Sequence, residues 1–145
     1  MIAALLYLAL AAVPAPPATV PVVYDPGLDH GKLVIWNACP QPPRLHELRA
    51  AIARAYEAAA ATESRVEDLT LDGVTVVFTP IFDGPEIGGH VWLGGGVSLV
   101  LIDCGRERIM EHELWHRFAH QLSIPCDAGL VRHRPGFDLH CRPLG

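Results

Sequence analysis

The sequence has little positive charge and no block of basic residues. Eleven Lys and Arg stand against 16 Asp and Glu, which leaves a formal net charge of −5. A domain that binds nucleic acid usually presents a basic patch or stripe to the phosphates. The composition therefore argues against this class, and we expect no nucleic-acid partner.

The sequence also lacks an apolar run long enough to span a bilayer, which takes roughly 20 residues. Its longest run, Ile2 to Val13, has the length of a signal-peptide core, and Ala9 and Ala11 offer a small-residue cleavage site, although no Lys or Arg precedes the run. We predict a signal peptide over residues 1–13 and a secreted or periplasmic protein, with no stable membrane insertion after cleavage. An uncleaved anchor or a buried N-terminal helix is the alternative.

Prolines are concentrated directly after this run, where four of them fall between residues 14 and 21. Proline fixes φ and lacks the N–H donor of a helix, so we expect an extended Pro/Ala-rich tether over residues 14–24. Residues 25–145 suffice for a single domain with a hydrophobic core and leave no room for a second domain.

No two cysteines form a C-x-x-C pair, which argues against a cysteine-based zinc ribbon or a thioredoxin-like redox site. Four cysteines in an exported chain indicate two disulfides, for which three connectivities are possible. We favour Cys39 with Cys104 and Cys126 with Cys141. Cys39 and Cys104 each end an apolar run, and they would be neighbours if the two runs form adjacent parallel strands.

Four short apolar runs rich in β-branched or aromatic residues indicate strands. Three of them are continuous enough for central strands, whereas the fourth is isolated by glycines on both sides, which is typical of an edge strand. The central candidates are Gly31 to Asn37, Gly73 to Pro80 and Val97 to Asp103, and the edge candidate is Gly88 to Leu93.

Two segments carry apolar residues at helical spacing. Residues 43–62 form one amphipathic helix, and residues 105–122 form a second, which Pro125 ends. In the second helix the apolar half faces the sheet, and the polar arc is left open to a cleft. The order of elements predicts an α+β fold, a small domain whose mixed sheet of about four strands packs on both helices.

The polar arc of the second helix carries the sequence His112-Glu113-Leu114-Trp115-His116, an HExxH motif. Histidines at i and i+4 lie one helical turn apart, so both imidazoles can reach one metal ion. We predict that His112 and His116 bind Zn²⁺ and that Glu113 is the general base toward a zinc-activated water. Trp115 lies on the apolar side, where a core position is the expected one.

With this motif on such a helix, residues 31–145 resemble the zincins, the HExxH zinc metallopeptidases. The resemblance implies a small zincin-like fold and a peptide or protein substrate that lies extended along the edge strand, where His90, Val91 and Trp92 would contact it. The metzincin pattern is not met, because Ala119 and Leu122 stand where Gly and His are needed. A gluzincin-like glutamate is also missing downstream. The chain therefore resembles a minimal zincin.

The third zinc ligand is expected from the tail. We favour His133, because a Gly-containing turn before it can bring the chain back over the helix, and because the H-x-P-x-F run that it opens resembles tails of small bacterial HExxH proteins. His140 comes next, followed by Asp138. His120 lies about 12 Å along the helix axis from His112, too far for both to bind one ion.

The sequence does not single out the residue that would stabilise an oxyanion. The candidates are Arg132, Arg134 and whichever of His133 and His140 does not bind the metal. The sequence thus predicts an exported zinc-dependent metallopeptidase. The alternative is a zinc-binding or protein-interaction module on the same scaffold without efficient turnover, which the short chain and the undefined oxyanion donor favour. Oligomeric state and cleavage preference are not predicted.

Overall fold

A computed structural model describes residues 20–62, 66–80 and 87–123, which form a five-stranded sheet with two helices on one face. The predicted signal peptide and the tail with Cys126 and Cys141 lie outside the described residues. Within these ranges, neither helix is long and apolar enough to cross a bilayer.

The predicted α+β class is confirmed, and both predicted helices are present. The strands are β1 (Val22–Tyr24), β2 (Leu33–Asn37), β3 (Val74–Thr79), β4 (Gly88–Gly94) and β5 (Val97–Asp103). The helices are α1 (Leu45–Thr62) and α2 (Met110–Leu122), and short 3-10 turns span Val66–Asp68 and Glu107–Ile109.

Helix α2 begins at Met110, later than the expected residue 105. Gly105 has a φ of +76°, in the left-handed region, so a right-handed helix cannot run through it. The Arg106 amide instead donates to the Asp103 carbonyl, which closes a turn after β5. The 3-10 turn Glu107–Ile109 then leads into the helix.

The strand order is β1-β2-β3-β5-β4, with β2, β3 and β5 parallel and the two outer strands antiparallel to their neighbours. The edge position predicted for β4 is confirmed. One strand, β1, was not predicted: it is formed by three residues at the end of the predicted tether and pairs Val22 with Ile35. Three residues are too few to show an alternating pattern.

One face of the sheet and both helices enclose the core. Inward residues of the central strands alternate with outward ones along each strand, as the pleat requires. The buried set includes Leu33, Ile35, Val76, Phe78, Val100 and Ile102 from the strands and Leu48, Ile52, Met110, Leu114, Trp115 and Phe118 from the helices. The core position expected for Trp115 is thus confirmed.

The predicted disulfide between Cys39 and Cys104 is present, with a Cα–Cα distance of 5.8 Å. The reason given for it was wrong, because β3 lies between β2 and β5 and the two strands are not neighbours. The bridge instead joins the segments that follow β2 and β5, at the end where β3 also finishes. Its 65-residue separation corresponds to about 4 kcal/mol in the chain-entropy treatment of disulfides.

Arg117 is fully buried on α2. It connects this helix to the end of the sheet that lies away from the disulfide. Its guanidinium donates to the carbonyls of Thr70, Asp72 and Gly96, at 3.0, 2.7 and 2.8 Å. A fourth hydrogen bond, 2.9 Å long, goes to the Ser98 hydroxyl. These acceptors lie before β3, in the β4–β5 turn and on β5, so one side chain fixes α2 against three segments.

We expect Arg117→Met to lower the free energy of unfolding by about 3 kcal/mol or more, because the buried acceptors lose their donor. Arg117→Lys should lose less, since an ammonium can restore part of the bonding. Arg49→Met is the matched control: Arg49 is exposed and donates one bond to the Pro26 carbonyl, worth about 1 kcal/mol. Urea unfolding measures all three, and equal losses for the two methionine variants would contradict this role of Arg117.

Candidate metal centre

The HExxH motif occupies the first two turns of α2, and the helix brings its two histidines together. Nε2 of His112 lies 3.2 Å from Nε2 of His116, with the ring planes at 87°. With a carboxylate oxygen of Glu113, the possible ligand atoms all lie within 4.8 Å of one another. Among the described residues, this is the one group of three His, Cys, Asp or Glu side chains that could hold a metal ion.

The spacing of the two imidazoles suits a shared ion. Two nitrogens that each bind one tetrahedral zinc at 2.0–2.1 Å stand about 3.3 Å apart, and the distance found is 3.2 Å. Imidazole donors also suit other transition metals, including copper, iron and nickel. The residues present therefore fit a metal ion, and the geometry alone does not name the metal.

Glu113 differs from its neighbours in its burial: 4% of its surface is exposed, whereas His112 and His116 are partly exposed. Burial raises the pKa of Glu113 to about 8, because a carboxylate loses hydration away from water. A cation nearby would lower this pKa again. Glu113 is thus placed to hold a proton near neutral pH and to release it beside a positive charge.

Strand β4 forms the wall beside the motif. Alternate residues of a strand face the same side, and three of them face α2. The Trp92 ring stacks on the His120 ring with centroids 4.8 Å apart, and the His90 and His116 centroids are 6.1 Å apart. The pairs along this contact are Gly88 with Glu113, His90 with His116 and Trp92 with His120.

The structure does not expose His90 to a substrate beside the strand. Its side chain is 8% exposed, and Nε2 lies 3.0 Å from the Ser98 hydroxyl. Burial, with His120 and Arg117 adding to it, lowers the pKa of His90 to about 4, so the ring is neutral at ordinary pH. Trp92 also points toward α2. Val91 is 39% exposed on the opposite face of the sheet.

Two acidic residues that the sequence analysis did not assign fix the start of the motif helix. Glu107 is buried and bonds Arg44, with a shortest distance of 2.8 Å, and Glu111 bonds Arg54 at 3.0 Å. Both arginines belong to α1 or to the residue before it. The ion pairs therefore join α1 to the segment that carries the histidines.

The predicted third ligand and oxyanion donors fall in the tail beyond residue 123, outside the described part of the chain. His133, His140, Asp138, Arg132 and Arg134 therefore stay as predictions. The described residues supply two candidate metal ligands and the Glu113 carboxyl, all three from one helix.

No protein-family model, no curated protein and no solved structure matches this chain. The resemblance to zincins therefore stays a prediction from the HExxH motif.

In the metal-free protein, we expect stability to fall as the pH rises from about 4.5 to 8. Glu113 binds its proton more tightly in the folded state, with a pKa of about 8 against an ordinary 4.5. The stability from this proton is complete below pH 4.5 and is lost as the pH rises through 8. Between pH 5 and pH 8 the native chain should lose on the order of 3 kcal/mol of this stability. Glu113→Gln cannot ionise, so it should not show this loss.

Urea unfolding with EDTA at the two pH values measures this difference. Glu57→Gln serves as the control, because Glu57 is exposed on α1. If Glu113→Gln and the native chain lose stability equally between the two pH values, the assignment of a buried proton to Glu113 is wrong.

Proposed function

We propose that this chain is an exported zinc metallopeptidase of the zincin type. The observation that carries the proposal is the 3.2 Å approach of the His112 and His116 Nε2 atoms with the Glu113 carboxyl in the same cluster. Two imidazoles one helical turn apart would suit any metal-binding helix. The buried acidic group between them is the feature that suits hydrolysis.

Zinc is the metal we assign to this site. Catalytic zinc is usually held by three protein ligands, which leaves a fourth position for reactants. His112 and His116 provide two ligands, and His133 or His140 would complete the set. Zinc bound there would supply Lewis acidity, which makes water a competent nucleophile near neutral pH.

Glu113 is the proton carrier in the proposed reaction. Its carboxylate accepts a proton from the attacking water as the water oxygen bonds to the peptide carbonyl carbon. It then donates that proton to the amide nitrogen, which leaves as an amine when the C–N bond breaks. A carboxyl whose burial raises its proton affinity is suited to both transfers near neutral pH.

The substrate we assign is a peptide segment in extended conformation beside β4. This strand is the last of the described sheet, and it is antiparallel to β5. Its outer backbone groups can pair with an added strand. Because His90 and Trp92 face α2, the main chain of β4 rather than these side chains would hold the substrate.

The disulfide supports the proposed compartment. Disulfides form and persist in oxidising environments, such as the bacterial periplasm or the extracellular space. The Cys39–Cys104 bridge joins two segments of the described domain. Together with the predicted signal peptide, it supports a secreted or periplasmic location.

Purified mature protein should contain about one zinc per chain, the expected stoichiometry of a mononuclear site. His112→Ala and His116→Ala should each lose it, because one helix residue cannot hold the ion alone, whereas Glu113→Gln should retain it. His46→Ala is the control, since His46 is exposed on α1. Elemental analysis of His133→Ala and His140→Ala identifies the third ligand as the one whose loss weakens binding. Folded native protein without zinc would refute the site.

Glu113→Gln should lower kcat/KM for peptide hydrolysis by about 10² to 10⁴, the range ascribed to general acid–base catalysis. Zinc content should stay unchanged, which separates the proton transfer from metal binding. A peptide library with mass-spectrometric detection of cleavage measures the effect. If native protein and variant bind zinc and behave identically toward the library, the metal-binding or interaction module is the correct function.

A further inference from the structure

Two adjacent glycines of β4, Gly88 and Gly89, lie where this strand passes the start of α2, and their surroundings differ. A Cβ added at Gly88 would lie 2.6 Å from Cγ2 of Ile109, 3.0 Å from Oε1 of Glu113 and 3.2 Å from the Leu101 carbonyl oxygen. A Cβ added at Gly89 would meet no atom within 4 Å. Neither glycine has a positive φ. Position 88 thus lacks space for a side chain rather than needing an unusual backbone.

The atoms around Gly88 have little freedom to retreat. The Leu101 carbonyl belongs to β5, in the ladder that pairs β5 with β4. Ile109 directly precedes α2, its amide donates to the Arg106 carbonyl at 2.9 Å, and its branched side chain is stiff at χ1. The Glu113 carboxyl is the end of a longer side chain. It is therefore the group that an added methyl would displace most easily.

We propose that Gly88 is a positioning residue for Glu113: the missing side chain lets the edge strand lie against α2 and sets where the Glu113 carboxyl stands beside His112 and His116. None of the three atoms nearest to the added Cβ belongs to His112 or His116. A methyl at position 88 should therefore shift the general base and leave the metal ligands in place. This catalytic consequence rests on the proposed function, whereas the steric relation between Gly88 and Glu113 does not.

A double-mutant cycle on the metal-free protein tests the steric relation. Gly88→Ala should raise the unfolding equilibrium constant about tenfold more in the native chain than in a Glu113→Ala background, where the methyl finds the vacated space. The contact with Ile109 is present in both backgrounds and cancels. The matched cycle of Gly89→Ala with Glu113→Ala should be additive within about twofold. Equal effects of Gly88→Ala in both backgrounds would overturn the proposal.

If Gly88→Ala does not fold, the same cycle is run in an Ile109→Ala background, which removes the shortest of the three contacts. The coupling between positions 88 and 113 should persist there, because the contact with Oε1 of Glu113 does not depend on Ile109. Its absence in that background would overturn the proposal as well.

The zinc-loaded protein tests the consequence. Gly88→Ala should lower kcat for peptide hydrolysis about 10²-fold, the scale of a displacement of roughly 1 Å in an active site. The dissociation constant for zinc should change less than about threefold, because the ligands are untouched, and KM should stay similar. Comparable losses in zinc affinity and kcat would overturn the positioning role. Coupling in the metal-free cycle together with an inactive native protein would support the role of Gly88 and refute the peptidase instead.

Discussion

The contact between α2 and the edge strand β4 is the constraint on which the site depends. The helix is fixed at its start by Glu107 and Glu111, which bond arginines of the α1 region, and just after the motif by Arg117, which bonds the loop before β3 and the β4–β5 turn. These contacts on both sides of the motif oppose sliding of the helix along the strand. The motif between these anchors therefore meets β4 in one register, with Glu113 beside the position that has no side chain.

In this register, the side of β4 that faces α2 lines the candidate site. His90 and Trp92 fill the space between strand and helix, and Ser98 and Arg117 continue the hydrogen-bonded layer behind them. A buried neutral imidazole costs less than a buried charge, and the low pKa of His90 keeps it neutral. The same desolvation favours the protonated form of Glu113. Burial thus keeps His90 neutral on β4 and raises the proton affinity of Glu113 on α2.

Much of this arrangement could be predicted from local patterns. The HExxH spacing predicts the imidazole pair, the apolar stripes predict both helices, and flanking glycines predict the edge strand. The order β2-β3-β5 could not be predicted, because strand pairing is a long-range choice that no local pattern encodes, although the Cys39–Cys104 pairing held. The sequence also could not predict whether His90 faces α2 or the solvent. Alternation along a strand shows which residues share a face but not which face is buried.

The division of the proposed zinc site between fold and tail has an energetic consequence. The fold itself holds two imidazoles with their Nε2 atoms 3.2 Å apart, so a third ligand from the tail would complete a site whose other candidate ligands are already in place. His133 lies 10 residues beyond Ser123 and His140 lies 17 beyond it. This difference in loop length is less than a doubling and so changes the closure cost by less than about 0.6 kcal/mol. Chain length therefore favours neither histidine appreciably as the predicted third ligand.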